Sequence, residues 1–337
     1  MQPFEVYRIG CDPRDTEKVE LPVPDWSKLR SPDGYLADQS MADAVNVAIA
    51  LGQPLLVTGE AGTGKTMLAY SIAHQLGLDE PLKFETKSTS ESRDLFYTYN
   101  ALARFQAAHT GEKNATTLDY IDFSALGLAI IRANAADTYA DLRSRDKRTS
   151  VSCRSVVLID EVDKAPRDFP NDILNAVEHL SFSIPELGNV VVSAARKFLP
   201  IVVLTSNSEK NLPDAFLRRC VFYHIPPPSR GRLEEIVTRR LGDLSIASKF
   251  LSMSLDLFEF LRNPDIALVK KPATAELLGW LIALRCLFPD DVNPLERSLD
   301  DVARSMGALL KTVDDQKQCG RLLQRWKASN GAPTTNV

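Results

Sequence analysis

Residues Pro54-Leu-Leu-Val-Thr58 run without a break into Gly59-Glu-Ala-Gly-Thr-Gly-Lys-Thr66, and an apolar pattern of helical period follows from Lys65 to Gln75. No other stretch limits the possible folds so sharply. The bare apolar run reads as a buried strand, and the glycines after it as a tight turn that a helix continues. Gly59, Gly62 and Gly64 let the backbone bend without Cβ clashes, so that peptide N–H groups point inward. The following helix aims the positive end of its dipole at the same place. Such a loop suits a polyanion. It fits G-x-x-x-x-G-K-[ST] at every fixed position, in the strand-to-helix context the motif requires. Gly59, Glu60, Ala61, Gly62, Thr63, Gly64, Lys65, Thr66 and Met67 are therefore expected around the phosphates of a nucleotide. Lys65 would place a cation on the β and γ oxygens, and the Thr66 hydroxyl would be a ligand of Mg²⁺. A plain Gly-rich turn is the bland alternative, and the Lys-Thr pair weighs against it.

A second apolar run, Val156-Val-Leu-Ile159, carries Asp160 and Glu161 at its C-terminal end. In open α/β sheets ligands bind at that end of the strands. Asp160 is expected to hold Mg²⁺ through water and to belong to the nucleotide site. Glu161 is expected to orient and polarise the attacking water, because phosphoryl transfer mainly needs positioning and charge stabilisation. Ile201-Val-Val-Leu-Thr-Ser-Asn207 ends a further strand in an amide that can reach a γ-phosphate, although Thr-Ser-Asn is also ordinary turn chemistry. Phe216-Leu-Arg218-Arg219-Cys220 closes the next helix. Its arginines either complement a helix dipole or reach the γ-phosphate held by a neighbouring subunit.

Around these motifs, strands and helices alternate. Leu82 to Thr86 and Val221 to Ile225 read as further strands, and Asp38 to Leu51 as an amphipathic helix. Alternation of this kind predicts a parallel sheet covered by helices on both faces. Residues 1–33 are rich in Pro and charge and read as an extended arm. Residues 34–227 would form the α/β domain. Within it, the material from about Glu91 to Arg148 is mostly helical in character, with Leu95, Leu102 and Phe105 at helical spacing. Ser181 to Pro185 and Val190 to Ser193 form a hairpin-like pair. Pro226-Pro-Pro-Ser-Arg230 marks a boundary, and 228–326 reads as helix throughout: Leu233 to Leu241, Ala247 to Leu261, Ala275 to Leu287, Leu299 to Leu310 and Cys319 to Trp326. Residues 327–337 read as a polar tail.

Composition narrows the function classes. Acidic residues number 44 and basic ones 40, a formal charge of −4 that gives no long-range pull toward nucleic acid. The basic cluster Arg143, Arg145, Lys147 and Arg148 reads as a solvated loop or, alternatively, a phosphate-contacting patch. The five cysteines and four histidines are dispersed, without the close pairs that a zinc site or disulfide framework needs. The N-terminal residues lack the pattern of a signal peptide, and no run approaches ~20 apolar residues, so the expectation is a cytoplasmic protein.

Taken together, and in this order, these motifs followed by a helical lid resemble the AAA+ ATPases over about residues 35–325. The resemblance implies a P-loop parallel sheet flanked by helices with a C-terminal all-helical lid, and hydrolysis of ATP with Mg²⁺. It makes Gly59 to Thr66 similar to Walker A, Asp160 and Glu161 to Walker B, and Asn207 to sensor 1. Arg219 is similar to the arginine finger, with Arg218 as its rival. The segment at about 91–110 looks like an insertion in helix 2, and 181–194 like the hairpin before sensor 1. Both belong to the group with MoxR, magnesium chelatase, the MCM helicases and the dynein-related ATPases. The wording of 174–188 and 212–220 looks most like MoxR-type proteins. Where those carry a sensor 2 arginine, this chain has Val269-Lys270-Lys271-Pro, and lysine lacks the bidentate fork.

The resemblance implies a ring, a hexamer by family habit, that remodels or matures a client, for example a von Willebrand factor A protein. Two other readings stay open: a DNA-engaging motor, and a nucleotide-dependent scaffold or switch with little turnover, as in bacterial defence.

Overall fold

In the computed structural model, residues 31–110, 116–135, 137–143, 152–166, 169–207, 212–242, 247–289 and 291–331 are described. The chain divides into two compact units. One is Tyr35–Pro226; the other is Pro227–Val337 together with the residues up to Gly34.

The first unit is built on a five-stranded sheet. β1 (Leu55–Gly59), β2 (Leu82–Glu85), β5 (Val156–Asp160), β8 (Ile201–Ser206) and β9 (Val221–Ile225) lie in the order β2-β5-β8-β1-β9. Every pairing is parallel, with Leu56 opposite Leu204 and Leu158 opposite Val203. The three central strands are buried along their whole length. Their alternate side chains feed two separate cores, as a parallel sheet covered on both faces requires. Leu55, Val57, Leu158 and Val203 pack with α1 (Gln39–Leu51) and α2 (Lys65–Gln75). Leu56, Val157, Ile159 and Leu204 pack on the other face with α4 (Ala125–Arg132) and α6 (Phe169–His179).

Between β2 and β5 the structure departs from the largely helical reading. Tyr97–Tyr99 (β3) pairs antiparallel with Ile121–Phe123 (β4), and α3 (Ala101–Thr110) lies between them; the short α5 (Ala140–Arg143) follows α4. Tyr97-Thr-Tyr99 alternates aromatic and β-branched residues, which favour a pleated surface. Leu95 lies not on that helix but in a 3₁₀ turn, fully buried, whereas Leu102 and Phe105 on α3 are exposed. Gly127 permits close approach of α4 to this hairpin: a Cβ there would stand 2.0 Å from the Phe96 carbonyl oxygen. The second hairpin, β6 (Ser181–Ile184) with β7 (Val190–Ser193), precedes β8. Phe182 from it stacks on Phe96 at 4.9 Å and contacts Tyr97 and Phe123. The buried Tyr97 phenol donates to Glu186 at 2.9 Å. Burial and the Glu186 carboxylate push that phenol up to about 12, so it stays a neutral donor.

The second unit is helical: α8 (Arg230–Leu241), α9 (Ser248–Arg262), α10 (Thr274–Leu287), α11 (Leu299–Ala303), α12 (Val313–Lys317) and α13 (Cys319–Gly331). Phe250, Phe258, Trp280 and Trp326 centre its core. The helix expected over Leu299 to Leu310 stops at Ala303. The Ser305 hydroxyl donates to the Val302 carbonyl and accepts the Trp280 indole N–H, and the chain tightens into a 3₁₀ turn. α13 continues to Gly331, further than the tail reading allowed. Arg239 and Arg240 of α8 donate to the carbonyls of Asp33 and Ser31, so the described end of the expected arm packs on this unit. Residues 1–30 and 332–337 lie outside the described residues.

Candidate functional site

The loop after β1 turns through positive φ at Gly59 (146°), Gly62 (79°) and Gly64 (95°) before α2 begins at Lys65. At Gly59 the constraint is steric as well. A Cβ there would lie 2.8 Å from the Ile225 carbonyl of β9. Thr63 folds back on the Glu60 carbonyl at 2.9 Å, and Ala61 lies between them in the same turn. Met67 occupies the first turn of α2 and is half-buried. Lys65 is only 7% exposed. Its amine donates at 2.9 Å to the carbonyls of Gly59 and Glu60 and to Asn207 Oδ1. Burial pushes that amine down, while Asp163, Asp160 and Glu161 favour its charge.

Asp160 closes β5, and the sheet brings it beside α2. Thr66 donates to its carboxylate at 3.1 Å, Thr205 of β8 donates at 2.5 Å, and Lys83 of β2 approaches the other oxygen at 3.1 Å. Glu161 follows in the left-handed conformation (φ 59°), which costs a non-glycine residue ~1–3 kcal/mol. Its N–H donates to Thr205 Oγ1 at 2.9 Å, which holds that turn. Its carboxylate forms an ion pair with Lys164 and receives Asn207 Nδ2 at 3.4 Å. Lys65, Asn207 and Glu161 thus form one polar chain across the C-terminal edge of the sheet.

Lys83, Thr205, Asp163 and Lys164 escaped the sequence reading. Thr205 had a signal, since it is the polar residue that ends the apolar run of β8. Thr205 is wholly buried and serves two site residues at once. Thr205→Val keeps the shape, removes the donor to Asp160 and strands the Glu161 N–H. Leaving buried partners unmatched costs ~1–3 kcal/mol. A fall in thermal midpoint together with slower ATP hydrolysis is expected, checked by melting and a steady-state assay; wild-type values for both would refute the bridging role.

Other expected residues lie outside this cluster. Arg218 and Arg219 follow α7 (Asp214–Leu217) and are exposed. Arg219 stands 3.9 Å from Glu178 of α6. Lys270 and Lys271, in the other unit, are exposed. The Val269 and Lys270 N–H groups bind Asp315, and the Lys271 amine donates to the Arg262 carbonyl. Burial works against the charge of Asp315, yet hydrogen bonds from Thr312, Val269 and Lys270 hold it below the usual carboxylate range.

Arg143 does not belong to a phosphate-contacting patch. It is buried, and its guanidinium caps α4 through the carbonyls of Ile131, Arg132 and Asn134. Arg145, Lys147 and Arg148 lie outside the described residues.

The donor set fits a small hard cation. A threonine hydroxyl bonded to an aspartate, beside a phosphate loop, offers oxygen ligands that Mg²⁺ completes with phosphate oxygens and water. No group of three or more His, Cys, Asp or Glu among the described residues could hold a metal ion by itself. No helix among them is long and apolar enough to cross a membrane.

Residues 55–227 match the family model described as "ATPase family associated with various cellular activities (AAA)". No curated protein matches the chain. Among solved structures, the Thermotoga maritima RuvB Holliday junction branch migration motor is similar at 15% identity, covering 90% of this chain and 86% of that one, with a TM-score of 0.46. A variant of the same RuvB is similar at 16% identity, covering 90% and 85%, with a TM-score of 0.47.

Proposed function

The chain belongs to the AAA family of ATPases and is an ATP hydrolase, and from that premise we propose that it works as a MoxR-type remodelling ATPase. In this reading subunits assemble into a ring, a hexamer, and each nucleotide lies at a subunit boundary. The loop Gly59 to Thr66 binds the phosphates through its N–H groups and Lys65. Thr66 and Asp160 would hold Mg²⁺, which when bound neutralises charge on the phosphate oxygens. Glu161 orients the attacking water, with Asn207 beside it, and Arg219 or Arg218 of the neighbour stabilises developing charge. Lys270 and Lys271 stand in the sequence where MoxR-type proteins carry a sensor 2 arginine, and lysine lacks the arginine fork.

One observation carries the remodelling part of the reading. The β3–β4 and β6–β7 hairpins share an aromatic cluster and the Tyr97–Glu186 bond, so they form one body. That body is joined in sequence to both sides of the site, since α6 and β6–β7 lie between Glu161 and Asn207. A change at the phosphates therefore has a direct covalent route to this body, which in this reading is the part that acts on a client, such as a von Willebrand factor A protein. The DNA-motor reading loses one of its four basic residues, because Arg143 is buried.

The test is Mg²⁺-dependent ATP turnover measured against protein concentration, with and without DNA. Turnover that rises as the ring assembles and is indifferent to DNA is expected. No turnover by an assembled ring with Mg²⁺ overturns the reading in favour of a scaffold, and salt-sensitive stimulation by DNA overturns it in favour of a motor.

A further inference from the structure

Asp163 has no role in the site as proposed above, yet it touches the amide residue on which that site depends. It sits in the single 3₁₀ turn Val162–Lys164 that follows β5. The turn is fixed from inside by Val162, which is fully buried in the core, and by the Lys164 N–H on the Glu161 carbonyl. From it, Asp163 Oδ1 accepts the backbone N–H of Asn207 at 3.1 Å. Asn207 lies one residue past the end of β8, so the pairing of that strand with β1 and β5 no longer holds it. Its side chain must nonetheless satisfy two partners at once. Oδ1 meets Lys65 at 2.9 Å while Nδ2 meets Glu161 at 3.4 Å.

We infer that Asp163 is a positioning residue for Asn207, anchoring its peptide so that the amide spans Lys65 and Glu161. The inference rests on the proposed role of Asn207 in hydrolysis. Misplacing a catalytic group by about 1 Å can cost on the order of 10²-fold in rate, and among the described residues the Asn207 N–H is anchored by its hydrogen bond to Asp163. A rival role exists on the same geometry, because Asp163 is also an acid near the Lys65 amine and could serve only as its counter-charge.

The two roles separate in one variant series, read as the full chain with Mg²⁺. Asp163→Asn keeps an acceptor for the Asn207 N–H and removes the charge; Asp163→Ala removes both. Positioning predicts that Asp163→Ala lowers kcat by about 30- to 100-fold with KM for ATP and Kd for a fluorescent ADP within about threefold, and that Asp163→Asn restores kcat to within about threefold of the unmutated chain. In an Asn207→Ala background, removing Asp163 should cost little more, since the amide it places is gone. Retained ADP binding and thermal midpoint certify the fold. If Asp163→Ala does not fold, Asp163→Ser, whose hydroxyl falls short of the N–H, is read in its place. Equal damage from Asn and Ala with weakened ADP binding overturns positioning in favour of the counter-charge role. Multiplicative losses in the double variant overturn it too. An Asn207→Ala chain with full turnover would instead sink the proposed role of Asn207 and leave no group for Asp163 to place.

Discussion

Glu161→Gln is expected to leave ATP bound and to slow its hydrolysis by about 10²–10⁴-fold, the range by which a positioned acid–base group accelerates proton transfer. The fold around the substitution should not move. The left-handed turn at Glu161 is held by its own N–H on Thr205, not by its side chain, which is partly exposed. Glutamine has the same length and can still accept from Lys164 and Asn207. What it lacks is the charge that polarises a water. Lys65→Ala should give the complementary result. The Lys65 amine is the buried cation of the loop, and its replacement leaves the carbonyls of Gly59 and Glu60 and the Asn207 amide facing the phosphates with nothing to offset their partial charge. Nucleotide affinity should then fall until binding is not measured at micromolar ATP. Fluorescent-nucleotide titration and single-turnover hydrolysis separate the two variants. Glu161→Gln turning over at the unmutated rate would remove Glu161 from the mechanism, and Lys65→Ala binding ATP normally would remove the loop from the nucleotide site.

Much of the sheet was legible because its strands are buried on both faces. Runs such as Val156 to Ile159 and Ile201 to Leu204 have one reading when no polar residue interrupts them, and β9 lies where the sequence placed it, at Val221–Ile225. The phosphate loop was legible for a different reason: its constraint is local, since positive φ and a lysine at fixed spacing are written in consecutive residues. The partners of Asp160 were not legible, because they come from other strands. Thr205 and Lys83 reach it only once β8 and β2 flank β5 in register, and register is not a property of any one segment. The β3–β4 hairpin was hidden by shortness. Three residues of Tyr-Thr-Tyr cannot outweigh the longer helical pattern beside them, and their pairing partner lies past α3. The break at Ser305 depends on the Trp280 indole, which approaches from another helix.

Removing the proposed arginine finger, Arg219 or Arg218, should lower hydrolysis by about 10³–10⁵-fold, with ATP binding retained. Arg219→Ala and Arg218→Ala are expected to differ, one carrying this loss and the other staying within a fewfold of the unmutated chain. Neither should unfold the protein. Arg219 faces Glu178 at 3.9 Å with both side chains more than half exposed, and such pairs contribute ~0–1 kcal/mol. A weak pair of this kind is readily exchanged for a phosphate oxygen, which is what a finger must do. Whether it acts across a boundary is decided by mixing. A Glu161→Gln subunit lacks the carboxylate proposed to orient water and keeps its arginines; a finger-deleted subunit keeps the carboxylate and lacks the arginine. Each alone is expected to be nearly inactive. Mixed before assembly, they should regain turnover, because a finger-deleted subunit's site that borders a Glu161→Gln neighbour then has both groups. If the arginine served its own subunit, no mixture would supply the missing group and activity would stay at the level of the inactive parents. The mixing curve therefore tests the subunit-boundary active site directly, without knowledge of the client.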